Sequence, residues 1–184
     1  MHFSFYKSAL FVFAIIELVK DAKNKGFTEP NPIIDLSGID VLRKFIISAR
    51  EGNFVIEKSD VNFESSVPKE ILGDSNNDFT AYAEEFYSKL ESYEGEFLKQ
   101  YKVAKEKNHK LRYIARLFRD DKGVVNSSIK LTSIGAEHPF YNIEGSDNAV
   151  VIVSEFYPNG IVIKGAGAGA VQTAGGILND IITL

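Results

Sequence analysis

Two prolines set between two helical patterns constrain this chain more than any other feature of its sequence. Pro30 and Pro32 lie within residues 22–44, AKNKGFTEPNPIIDLSGIDVLRK. Each removes a backbone donor, fixes its own φ, and pushes the residue before it, Glu29 or Asn31, towards extended conformations. Upstream, Phe13, Ile16, Val19 and Lys20 recur near a 3.6-residue period. That spacing predicts a helix from about Ser8 to Lys25, with Gly26 at its C′ position. Downstream, Ile39, Leu42, Phe45, Ile46 and Ala49 predict a second helix stopped by Gly52. Its N-cap candidates are Asp35 and Ser37, and Asp40 follows Ser37 by three residues as a weak capping-box echo. Residues 27–34 between them are expected to form a stiff loop.

The rest of the chain alternates between the two periods. Residues 54–67 alternate loosely and predict a strand, and GDSNND at 73–78 predicts a loop whose Asp78 caps a long helical tract. Gly95 within that tract suggests two consecutive helices. Residues 111–119 (LRYIARLFR) and 124–133 predict a hairpin closed by DDKG at 120–123. NAVVIVSEFY at 148–157 and IVIK at 161–164 predict two further strands, and GAGAGA at 165–170 leads into a last helix, VQTAGGILNDIITL. The order implies an α+β fold, with a mostly antiparallel or mixed sheet covered on one face by helices. With no internal repeat or low-complexity linker, one domain over 1–184 is expected.

Composition narrows the function. The 184 residues carry a formal net charge of −4, which argues against a dedicated nucleic-acid or anionic-membrane partner. The absence of Cys excludes thiolate metal sites, redox dithiols and a cysteine nucleophile, and points to a reducing, cytoplasmic setting. His2, His109 and His138 are scattered, so no metal site is expected. The basic tract Lys99–Arg119 follows a helix rich in acids and reads as a solvated face. The apolar N-terminal run over residues 3–19 is too short and interrupted to span a bilayer, and Glu17 and Lys20 stand where a signal-cleavage site would follow.

Chemistry concentrates where the prolines are. Asp40 and Lys44 are four residues apart on one helix face, a spacing that most often makes only a surface ion pair. Glu29 and Asp35 just upstream make the setting less ordinary. Three acids and a lysine can hold a zwitterionic small molecule, and a partly buried lysine among acids can transfer protons. Gly165, Gly167 and Ala170 satisfy G-x-G-x-x-A between a strand and a helix, but Leu184 follows too soon for a complete dinucleotide-binding unit. A tight strand-to-helix turn and a close backbone approach to a cofactor remain equal readings.

Residues 22–44 also resemble the signature of the homoserine dehydrogenases, A-x3-G-[aromatic]-T-E-P-x-P-x2-D-L-x-G-x-D-x3-K. KLRYIARL resembles that family's LRYVG-type strand, and IVIKGAGAGAVQTAGGILNDI its C-terminal segment. The middle is most similar to the form fused to aspartokinase. The resemblance implies NADP- or NAD-dependent interconversion of L-homoserine and L-aspartate 4-semialdehyde. It implies Lys44 as the catalytic lysine, Gly26, Glu29, Asp35 and Asp40 as substrate-binding residues, and Gly169 near the cofactor. It also implies a homodimer, and a companion nucleotide-binding domain on which residues 165–184 pack. That domain, with a second lysine and a metal-binding segment, is not recognisable here, and residues 1–16 depart from the family pattern. The chain alone is therefore expected to lack turnover.

Overall fold

A computed structural model of the chain describes residues 15–26, 28–73, 79–144, 147–166 and 170–183. They form two compact units, one within residues 12–135 and one within residues 136–184. The first runs through α1 (Ile15–Asn24), α2 (Pro32–Ser37), α3 (Ile39–Glu51), β1 (Asn62–Phe63), α4 (Lys69–Leu72), α5 (Phe79–Glu106), β2 (Lys110–Arg119) and β3 (Val125–Ile134). The second holds β4 (Asp147–Ile152), β5 (Ile161–Ala166) and α6 (Ala170–Thr183). The fold is α+β with mixed pairing, as expected.

The first unit is a three-stranded sheet in the order β1-β3-β2, with β1 parallel and β2 antiparallel to β3. Side chains alternate across a strand, so Tyr113, Ala115 and Leu117 of β2 share a face. That face and Ile129 of β3 meet Leu42, Phe45, Ile46 and Ala49 of α3 in the core. Phe86 and Leu90 of α5 are fully buried, and α5 packs against α1, α4 and β2. The hairpin turn follows the sequence closely. The Asp120 carboxylate accepts from the backbone N–H groups of Lys122 and Val124, both at 2.9 Å, and Gly123 takes φ +79°. The second unit pairs β4 with β5 antiparallel, from Asp147 opposite Ala166 to Ile152 opposite Ile161. Among the described residues no helix is long and apolar enough to cross a membrane.

Four expectations need correction. Residues 27–34 are not all loop, because Pro32 opens α2, and Asn31 caps it by accepting from the Ile33 N–H at 3.0 Å. A proline's missing N–H costs nothing at a first helical position, and asparagine is a strong cap. Asp35 consequently lies inside a helix rather than capping one. The stretch 54–67 contains a strand of only two residues, because the Asp60 carboxylate accepts from the Glu57 N–H at 2.7 Å and closes a 3-10 turn over Lys58–Asp60. The strand predicted over 148–157 ends at Ile152, and Ser154 and Tyr157 exchange backbone hydrogen bonds in a turn. Finally, α5 runs unbroken for 28 residues through Gly95. One exposed glycine costs a helix only about 1 kcal/mol, less than the burial of Phe86 and Leu90 returns. Space around Gly95 is open, so Gly95→Ala should raise stability by about 0.5–1 kcal/mol in urea denaturation. The predicted helix start near Ser8 and the Asp78 cap lie outside the described residues.

Candidate active site

The site is a corner between two short helices. Gly38 ends α2 and opens α3 at once, with φ +72° in the left-handed region. Its N–H donates to the Asp35 carbonyl at 3.1 Å, and its carbonyl accepts from the Leu42 N–H at 3.0 Å. Two consecutive helices therefore meet with no connecting loop. The Ser37 hydroxyl donates to the Ile34 carbonyl at 2.7 Å and accepts from the Ile39 N–H at 3.3 Å, bridging the junction.

The corner gathers the four charged candidates. The Asp35 carboxylate accepts from the backbone N–H of Glu29 at 2.9 Å, closing the proline loop onto α2. Asp40 lies in the first turn of α3, where the helix dipole favours a negative charge. Its carboxylate meets the Lys44 Nζ at 2.8 Å, with Lys44 66% and Asp40 35% exposed. An exposed i, i+4 pair is worth only about 0.3–0.5 kcal/mol, so the lysine can leave its partner at little cost. Lys44 is thus open to solvent. Gly26 ends α1 with φ +69° and its N–H on the Lys23 carbonyl at 3.0 Å, which matches the predicted C′ role. Gly169 lies outside the described residues.

Asp35 carries the electrostatic signature of the corner. Burial is the largest cause lifting its carboxyl above the ordinary 3.8, and the Glu29 N–H opposes that effect, while the charges of Glu29 and Asp40 add to it. A raised acid binds its proton more tightly in the folded chain than in the unfolded one, so stability falls as pH rises from 3.8 through the folded value. Asp35→Asn should therefore be more stable than the parent at pH 7 and lose that advantage near pH 3.5, as chemical denaturation at the two pH values will report.

Sequence reasoning missed the residues that hold the corner. A Cβ on Gly38 would overlap the Tyr113 hydroxyl and come within 2.8 Å of its Cζ. The Tyr113 hydroxyl donates to the Glu64 carbonyl at 2.6 Å, and the Ser66 hydroxyl donates to the Leu36 carbonyl at 2.6 Å. Gly38 could have been found as a helix stop directly after Ser37. Tyr113 and Ser66 carry no local signal.

Comparison with known proteins bears on the whole chain. The family model for homoserine dehydrogenase matches residues 12–182. The chain belongs to the homoserine dehydrogenase family. Its relatives include a bifunctional aspartokinase/homoserine dehydrogenase 2 of Arabidopsis thaliana, 38% identical over 91% of this chain and 18% of that protein. Homoserine dehydrogenase of Saccharomyces cerevisiae is 38% identical over 91% of this chain and 45% of its own length. This member of the family thus spans less than half of each of those relatives. A Candida auris protein of unknown function shares the fold at a TM-score of 0.80 and 34% identity, over 96% of this chain and 47% of that one. S. aureus homoserine dehydrogenase shares the fold at a TM-score of 0.62 and 24% identity, over 91% of this chain and 36% of that chain.

Proposed function

We propose that the chain is the substrate-binding part of a homoserine dehydrogenase, serving the NAD(P)-dependent interconversion of L-homoserine and L-aspartate 4-semialdehyde. The observation that carries this reading is the convergence of Glu29, Asp35 and Asp40 with an accessible Lys44 on one helix corner. An amino-acid substrate brings an ammonium group, which the carboxylates of Glu29 and Asp40 would receive. Oxidation of the alcohol releases a proton from its hydroxyl, and Lys44 takes it after its own ammonium proton has passed to solvent. In reduction the Lys44 ammonium returns a proton to the carbonyl oxygen. Nicotinamide, when bound, supplies or accepts the hydride.

The chain's own fit to that cofactor is partial. β5 ends at Ala166, one residue after Gly165, and Ala170 opens α6, and open space lies where a Gly165 Cβ would stand. Around this junction apolar side chains face solvent, among them Val162, Ile163, Val171, Ile177 and Ile181. Uncovered apolar surface of this extent marks an interaction site. A companion nucleotide-binding domain packing on residues 165–184 would cover it and complete the cofactor site.

Purified chain should bind L-homoserine yet show no turnover with NADP. A rate of ~1 per second or faster from the chain alone would sink the reading that a companion is needed. A non-catalytic dimerisation module is the second reading. It is favoured by the sheet face opposite α3, where Arg116, Phe118 and Lys130 stand exposed. Native mass showing a dimer, with no homoserine binding in calorimetry, would select it.

A further inference from the structure

We propose that Tyr113 and Ser66 are positioning residues that fix the angle between α2 and α3, and with it the placement of Asp35 relative to Asp40 and Lys44. The proposal rests on the reading of those charged residues as the homoserine site. A left-handed glycine joins the two helices, and glycine by itself leaves the backbone free to take several directions there. Something else must select one. Leu36 and Leu42 are buried on either side of the junction, but apolar packing alone is non-directional.

Directional ties come from the segment after β1. Its first residue, Glu64, is anchored to the sheet by its N–H on the Ile129 carbonyl at 2.9 Å. The Glu64 carbonyl then receives the Tyr113 hydroxyl at 2.6 Å. That places the phenol against Gly38, so closely that no side chain fits between them. Two residues further on, Ser66 donates to the carbonyl of Leu36 near the end of α2 at 2.6 Å. The last turn of α2 and the first residue of the junction are thus both referred to the sheet, one by a hydrogen bond and one by contact. Burial holds the Tyr113 phenol well above its usual value, so its hydroxyl remains a donor throughout the neutral range. Supporting groups of this kind are what keep a reactive constellation within its working geometry.

The test is carboxyl-carbon NMR titration of Asp35 in the full chain, in Tyr113→Phe and in Ser66→Ala, with L-homoserine titrated into the same samples. Leu90→Val serves as a control that weakens the core away from the corner. Tyr113→Phe should keep its fold and move the Asp35 midpoint down towards the ordinary aspartate range, as the carboxyl gains solvent and distance from Asp40. It should also weaken homoserine binding about tenfold. Leu90→Val should lower the melting temperature and leave the Asp35 midpoint unchanged. Should Tyr113→Phe fail to fold, Ser66→Ala carries the same expectation. An Asp35 midpoint that stays at the parent value in folded Tyr113→Phe or, in its place, Ser66→Ala overturns the proposal. If the parent binds no homoserine but its Asp35 midpoint moves in the variant, the positioning role stands and the substrate reading falls.

Discussion

Replacing Gly38 with alanine is expected to destabilise the chain by about 2–4 kcal/mol. Two causes add. At φ +72° an L side chain is strained, at about 1 kcal/mol or more. The new Cβ would also overlap the Tyr113 hydroxyl and crowd its ring, so either the phenol leaves the Glu64 carbonyl or α2 shifts away from β2. Urea denaturation of Gly38→Ala, Tyr113→Ala and the double variant separates the two causes. Shortening Tyr113 removes the overlap but not the backbone strain. The double variant should therefore lose clearly less than the sum of the singles, and strict additivity would rule out the contact as a cause.

Asp40→Ala is expected to do the opposite, leaving stability nearly untouched while removing the ligand. Its partner Lys44 is two-thirds exposed, so breaking the pair should change unfolding by less than about 0.5 kcal/mol. Homoserine binding should weaken more than about tenfold, since a charged group that meets a charged partner contributes about 1.5–3 kcal/mol. Glu29→Ala should act in the same direction. Calorimetric titration beside thermal melts gives both quantities, and unchanged affinity in Asp40→Ala would remove the carboxylate from the site. The contrast with Gly38 separates the holding of the corner's shape from the substrate binding proposed for it.

What could be read in advance was local. The hairpin over 110–134 needs only alternation and a turn whose Asp120 and Gly123 do their own hydrogen bonding and bending. The Asp40–Lys44 pair needs only a helix beneath it. Errors arose where burial or a competing turn overrides the local pattern. Gly95 looks like a break until the buried faces of Phe86 and Leu90 on the same helix are known. Residues 54–67 alternate like a strand, yet a carboxylate three residues from a backbone donor turns the chain first. The site's charged residues were visible together because they fall within sixteen positions, Glu29 to Lys44. Their supports were not, since Tyr113 lies 49 residues from its hydrogen-bond partner. That contact is a property of the fold, with no trace in the neighbourhood of either residue.

The pairing of β1 has a consequence for how the molecule reaches its final form. Asn62 and Phe63 pair with Ser128 and Ile129 of β3, so this pairing must close a long loop of chain. Loop closure costs entropy before the contact returns anything, and such pairings form late on a folding route. Helix α5 and the β2–β3 hairpin need no such closure and can assemble first. The segment carrying Glu64 and Ser66 then docks onto a frame already standing, and only then are α2 and α3 held in register. On that route the corner is expected to take its shape after the hairpin it leans on.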